Sequence, residues 1–163
     1  MLRRLRTPFG AGIISLALVG LPAVTWADDD GPRDSVAARL GGFPGILAFL
    51  NTFAVPALLA DPEIASFFGH LTEDPADIEQ CLAMLLDHDL GGSSPHSGAV
   101  LASGHRCRSS MSNIHRGRQI PDHVVDKFIA IVGEQAEKAG VAPTDIAAVA
   151  KVLERYRGGV RNK

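Results

Sequence analysis

Apolar residues recur three and four positions apart through most of this chain, and no segment alternates apolar and polar residues as a half-buried strand does. The clearest pattern begins at Asp74 and Pro75, a capping residue followed by proline at the first helical position. It carries one apolar stripe to about Leu90 and stops at Gly91 and Gly92, which favour a helix end. The spacing therefore predicts an all-α fold.

The other helices are predicted from similar stripes and boundary residues. Pro56 lies inside one apolar stretch, where it removes a backbone donor and should kink the helix. The segment from about 91 to 106 is rich in glycine and serine and is predicted to be a loop. The other predicted helices start at Ser35, Pro44, Glu63, Pro121 and a capping Thr144, and a short helical turn contains Met111, Ile114 and His115.

The first 27 residues have the composition of an export signal. Arg3, Arg4 and Arg6 precede a mostly apolar run over 9–24, and the small residue Ala27 offers a cleavage site. An uncleaved segment of this length would instead act as a membrane anchor, which is the only membrane association that the sequence suggests. Cleavage predicts a periplasmic or secreted protein.

Residues 28–163 are long enough to bury a core and are predicted to form one domain. The whole chain has a formal charge of −2, and removing an arginine-bearing leader makes the remainder more negative. No block of lysine and arginine interrupts this acidic balance. Because binding to nucleic acid without sequence preference depends on neutralising phosphates, nucleic acid is excluded as an expected partner.

The chain contains only two cysteines, Cys81 and Cys107. Two are too few for a disulfide scaffold or for a four-cysteine zinc site. An exported chain meets oxidising conditions in which a disulfide persists, whereas two buried free thiols would be an equally ordinary outcome. The sequence leaves both states open.

His115 lies in a short segment between two long amphipathic helices. A neutral imidazole is a standard axial ligand for haem iron, so this placement suggests a cofactor pocket in an all-helical domain. The five other histidines are expected to be ordinary surface or capping residues.

Several short motifs, in their order and spacing, resemble the group 1 truncated haemoglobins over about residues 34–157. These motifs are Leu-Gly-Gly at 40–42, Leu-Ala-Asp-Pro at 59–62, Phe-Phe at 67–68, Gly-Gly at 91–92 and Met-Ser-Asn-Ile-His-Arg-Gly at 111–117.

The resemblance implies a truncated globin: a two-over-two helical sandwich around haem b. It matches His115 to the proximal ligand of the haem iron and Phe68 to an aromatic residue that packs on the haem. The full set of expected haem contacts is Phe53, Phe68, Ile78, Leu82, Met111 and His115.

The distal side departs from the family's pattern. Where relatives place a tyrosine that donates a hydrogen bond to bound oxygen, this chain has Ala54 or Val55, depending on where a one-residue gap is placed. The matching positions on the facing helix, Ile78 and Leu82, are also apolar, although Gln80 lies between them. Since dioxygen is held by donors more than carbon monoxide is, stable oxygen storage is not expected.

Three functions follow as hypotheses. The first is a haem protein, rather than an enzyme, that binds oxygen, carbon monoxide or nitric oxide or passes electrons to a redox partner. The second is a haem-free, globin-shaped interaction module, suggested by the missing distal tyrosine and by Pro56. The third is a site for another metal built from His96, His105 and Cys107, whose spacing is irregular.

Overall fold

The computed structural model describes residues 34–69 and 71–161. The predicted leader therefore lies outside the described residues, as does His70. Within them the secondary structure is helical, and the only β-type pairing is an isolated bridge between Val100 and Arg106. The helices are α1 (Val36–Arg39), α2 (Gly42–Phe49), a π-helical turn (Leu50–Ala54), α3 (Val55–Ala60), α4 (Pro62–Phe68), α5 (Pro75–Asp89), α6 (Met111–Ile114), α7 (Asp122–Lys138) and α8 (Pro143–Val160).

Most predicted helix boundaries are confirmed. The side chain of Asp74 accepts a hydrogen bond from the backbone N–H of Ala76 at the start of α5, and Ser35 caps α1 in the same manner. After α5, Gly91 has φ +87°, a left-handed conformation that glycine adopts without steric cost. Capping residues and glycines thus define these ends locally.

Two predicted helix starts are wrong. Thr144 does not cap α8, because Pro143 already occupies a helical position and Ala142 is the N-cap, with no side-chain hydrogen bond. A residue before proline is pushed out of the helical region, which explains the extended backbone of Ala142. The start of α2 is at Gly42, two residues before the predicted Pro44.

The predicted disturbance at Pro56 takes the form of a π-helical turn over Leu50–Ala54, directly before α3. A π-helical turn accommodates an extra residue within a helix. It therefore adjusts the backbone hydrogen bonding next to Pro56, which has no N–H to donate. The continuous run Gly42–Ala60 has a mean hydropathy of 1.8 and is, by length and composition alone, long enough to cross a membrane. In this fold it packs against α5 and α7.

The helices form two pairs that enclose the core. The run from α2 to α3 packs on α5, and α7 packs on α8. The pairs meet where the π-helical turn and α3 contact α7 and where α5 contacts α8. The core is made of buried aliphatic side chains from both pairs, including Ile46, Leu50, Leu58, Leu86, Val124, Val132, Val152 and Leu153.

A disulfide joins Cys81 on α5 to Cys107 in the loop that leads to α6, with the two Cα atoms 5.3 Å apart. This answers the question that the sequence left open. The bond closes a loop with a sequence separation of 26, for which the chain-entropy relation gives about 3.5 kcal/mol of stabilisation. It anchors the glycine-rich loop to the same helix that carries Ile78 and Leu82.

Candidate functional site

A cavity of about 300 Å³ lies between α5 and α6 and extends toward α7 and α8. One wall is formed by Ile78, Cys81 and Leu82 of α5, and the opposite wall by Met111 and His115. Phe67, Phe68, Ile120, Val124, Phe128 and Leu153 make up much of the remaining lining. The size and the mostly apolar lining are those of a small-molecule or cofactor site.

His115 is the C-cap residue of α6 and is half-buried in this cavity. Its Nδ1 lies 2.9 Å from the carbonyl oxygen of Met111, one helical turn earlier. Because a carbonyl only accepts hydrogen bonds, Nδ1 must carry the proton, and Nε2 keeps its lone pair. A histidine that donates through one ring nitrogen to a backbone carbonyl is prepared to bind a metal through the other.

The electrostatic surroundings favour the same form of His115. Burial lowers the pKa of its imidazole, and the positive charge of Arg118 acts in the same direction, while the hydrogen bond to Met111 opposes them. A lowered pKa means that the neutral ring, which is the form that binds metals, is present at neutral pH.

The helix that presents His115 has only four residues, so tertiary contacts must hold it in place. It packs on the end of α8 at Gly159. A Cβ atom at that position would lie 2.6 Å from Cβ of Met111 and 3.0 Å from the backbone nitrogen of Ser112. The missing side chain of Gly159 therefore allows α6 to approach α8 this closely.

A second cavity, of about 890 Å³, adjoins the first and shares Phe68, Ile78 and Leu82 with it. Phe53 and Val55 line this second cavity. Ala54 is fully buried and does not line either cavity, so Val55 is the residue of the two that faces open space.

Five of the six predicted contact residues thus line the cavity that contains His115. The exception is Phe53, which faces the second cavity only. Gln80, the one amide near the distal wall, lines neither cavity, and its Nε2 donates to the carbonyl of Ala76 at 3.3 Å. The side chains of Val55, Ile78 and Leu82 that line these cavities are apolar, whereas Thr52 adds a hydroxyl to the lining of the second cavity.

The proposed metal set of His96, His105 and Cys107 is wrong, because the sulfur of Cys107 is bonded to Cys81 and offers no thiolate. His105 instead lines the first cavity, as do Arg108 and Arg118. Arg108 also pairs with Glu73, with 2.8 Å between guanidinium nitrogen and carboxylate oxygen.

Sequence reasoning missed these three basic residues at the cavity. Their only signal is that they lie within ten positions of His115 along the chain, and this spacing alone predicts no contact.

No protein-family model and no curated protein matches the chain. Among solved structures it is similar to the truncated haemoglobin of Tetrahymena pyriformis in its Fe(III) form, with 22% identity and a TM-score of 0.63, over 79% of this chain and 99% of that one. It is also similar to the 2/2 haemoglobin of a Synechococcus species, a cyanomet structure with covalently attached haem, with 20% identity and a TM-score of 0.63 over 78% and 98%. The chain has the truncated-globin fold, and the predicted two-over-two helical sandwich is confirmed.

The contact at Gly159 gives a prediction with an internal control. Gly159→Ala should lower the free energy of unfolding by about 1–3 kcal/mol, the usual range for overpacking, because α6 must move away from α8. Gly158→Ala, whose Cβ would meet nothing within 4 Å, should leave stability unchanged or raise it by up to about 1 kcal/mol. Denaturant unfolding of both variants measures the difference, and equal stabilities would refute the close contact.

Proposed function

We propose that the chain binds haem b in the cavity between α5 and α6, with Nε2 of His115 as the axial ligand. The observation that carries this proposal is the hydrogen bond from Nδ1 to the Met111 carbonyl, which leaves Nε2 free on a cavity wall. Bound haem supplies an iron centre that binds diatomic gases or exchanges electrons.

The residues around the cavity fit this group. Phe68, Ile78 and Leu82 offer apolar surface to the macrocycle, and Met111 adds a polarizable thioether. The similarity to haemoglobin structures, one of which carries covalently attached haem, supports the same cofactor class.

The charged residues of the cavity fit the polar end of the same cofactor. Arg108 and Arg118 supply positive charge for the propionate groups. Both cysteines of the chain are consumed in the disulfide, which leaves no thiol for a thioether link and favours non-covalently held haem b.

We further propose that the protein exchanges gas ligands rapidly and does not store oxygen. Ile78 and Leu82 line both cavities and Val55 lines the adjoining second cavity, and none of the three side chains carries a hydrogen-bond donor, while Gln80 donates to the Ala76 carbonyl of its own helix. The tyrosine of the chain, Tyr156, lines the first cavity from α8, but its hydroxyl donates its hydrogen to Asp89. Electron transfer to a redox partner remains a prediction from the sequence.

The ligand role of His115 is tested by removal and rescue. His115→Gly should weaken haem binding by more than about 100-fold, because it removes the ligand itself and not merely a residue that orients one. The variant should also lose the stabilisation that bound haem gives the folded protein. Added imidazole should restore the absorbance spectrum, because it replaces the missing ring.

The matched control for that experiment is His123→Gly. Its imidazole is exposed on α7, where Nε2 lies 2.8 Å from a carboxylate oxygen of Glu63, and its loss should not change haem binding. A His115→Gly variant with wild-type haem affinity would contradict the assignment. A wild-type chain that takes up no haem would favour the haem-free interaction module.

The apolar distal wall is tested by adding the missing donor. Val55→Tyr should slow dioxygen dissociation from the ferrous protein by about tenfold or more, since a hydrogen bond to a charged group contributes about 1.5–3 kcal/mol. Val55→Phe supplies the ring without the hydroxyl and should not slow it. Carbon monoxide dissociation should change little in either variant. Equal dioxygen rates in the two variants would show that Val55 does not face the ligand.

Export is proposed from the basic start, the apolar run and the small residue at Ala27, and the disulfide is the kind of bond that persists outside the cytoplasm. The mature chain should begin at or near Asp28 and be recovered from the periplasm or the medium. Mass spectrometry of cell fractions measures this. A chain that retains Met1 in the membrane fraction would instead be an anchored globin.

A further inference from the structure

Two histidines and one aspartate meet at the C-terminal end of α5, outside the cavities described above. His88 and Asp89 belong to the last turn of that helix, and His96 lies in the loop that follows. One ligand atom from each residue can be chosen so that all three atoms lie within 4.8 Å of one another. The imidazole centroids of the two histidines are 4.9 Å apart.

The loop is folded back onto α5 by bonds that fix the position of His96. The backbone N–H of Ser94 donates to Oδ2 of the buried Asp87 at 2.9 Å. Gly92 makes this possible, because a Cβ there would lie 2.3 Å from Oδ1 of Asp87. The loop therefore approaches the end of the helix at a position that only glycine allows.

Two of the three candidate ligands, His88 and Asp89, also have a hydrogen-bond partner of the kind that orients metal ligands. Nδ1 of His88 lies 2.9 Å from the Ser94 carbonyl, so Nδ1 carries the proton and Nε2 keeps its lone pair. The other ligand, Asp89, accepts the hydroxyl hydrogen of Tyr156 at Oδ2.

The remaining oxygen of Asp89 faces the third ligand. Its Oδ1 lies 3.5 Å from Nδ1 of His96, while Arg155 lies 3.6 Å away on the Oδ2 side. Ligand atoms on one tetrahedral zinc ion are about 3.3–3.5 Å apart, given bond lengths of about 2.0–2.2 Å. Oδ1 of Asp89 and Nδ1 of His96 already have this separation, and the exposed ring of His96 can turn toward Nε2 of His88, whose own ring is held by the Ser94 carbonyl.

We propose that His88, Asp89 and His96 form a binding site for a divalent transition-metal ion such as Zn²⁺. Two imidazoles and one carboxylate are the donors that such borderline ions select, whereas Mg²⁺ and Ca²⁺ prefer oxygen ligands alone. The exposed position of the histidines leaves the remaining coordination positions to water. The site does not depend on haem, because it shares no ligand with the proposed haem site.

The site is joined to the haem cavity by one side chain. Tyr156 lines that cavity and holds Asp89 by a hydrogen bond, so it contacts both places. It acts here as a positioning residue for the carboxylate.

The test is calorimetric titration of the full chain with Zn²⁺. Wild type should bind one ion at this site with micromolar affinity, and Mg²⁺ should not compete. His88→Gln and His96→Gln should each weaken binding by at least about tenfold, since each removes a ligand. Both residues are exposed, so circular dichroism should show a native fold.

His123→Gln is the matched control. It removes an exposed imidazole that also lies beside a carboxylate, that of Glu63, but has no second imidazole in an identified three-ligand group. It should leave Zn²⁺ affinity unchanged. Tyr156→Phe should weaken Zn²⁺ binding by about tenfold, the lower end for loss of a hydrogen bond that orients a metal ligand, because Tyr156 positions Asp89.

Anomalous diffraction at the zinc edge then locates the ion. Density within bonding distance of His88, Asp89 and His96 would confirm the site. The proposal is overturned if the double variant His88→Gln with His96→Gln binds Zn²⁺ as tightly as wild type, or if the ion lies elsewhere. Failure of this test leaves haem binding by His115 unaffected.

Discussion

The hydrogen bond from His115 to the carbonyl of Met111 is the interaction on which the proposed site depends. It decides which ring nitrogen carries the proton and which is left with a lone pair. A backbone carbonyl in the same short helix is a rigid acceptor, so the ring orientation follows from the position of α6. Whatever places this helix therefore also places the candidate ligand.

Two features hold α6 where it is. Gly159 lets α8 come into contact with Met111 and Ser112, and the disulfide from Cys107 to Cys81 ties the preceding loop to α5. A helix of four residues gains little stability from its own hydrogen bonds, so these contacts determine its position. The wall that carries His115 is thus tied covalently to α5 and by close packing to α8.

The two ends of α5 carry the two proposed sites. Its first half presents the apolar side chains of Ile78 and Leu82 to the cavities, which suits the proposed haem. Its last turn carries the exposed His88 and the partly buried Asp89 beside His96. Because Tyr156 contacts the cavity and Asp89, an ion bound there would lie one side chain away from the proposed haem.

Helix boundaries were predictable wherever a local signal fixed them, as at Asp74 and Gly91. A disturbance at Pro56 was predictable as a kink, but its form as a π-helical turn over Leu50–Ala54 was not, since the helical period does not show where an extra residue is absorbed.

Local signals failed where the outcome depended on contacts far along the chain. The cap at Thr144 is a separate and local error, because Pro143 already occupies a helical position and leaves Ala142 as the N-cap. His115 was found through its motif, but the cavity contacts of His105, the disulfide and the pairing of His96 with His88 depend on how a glycine-rich loop folds back.

The most direct test of the central claim is a crystal structure of the chain loaded with haem. The account predicts planar density between α5 and α6, with the iron bonded to Nε2 of His115 and Nδ1 still within hydrogen-bond distance of Met111. His105 also lines this cavity and is the competing imidazole. Iron bonded to His105, or haem bound anywhere other than between these two helices, would contradict the account.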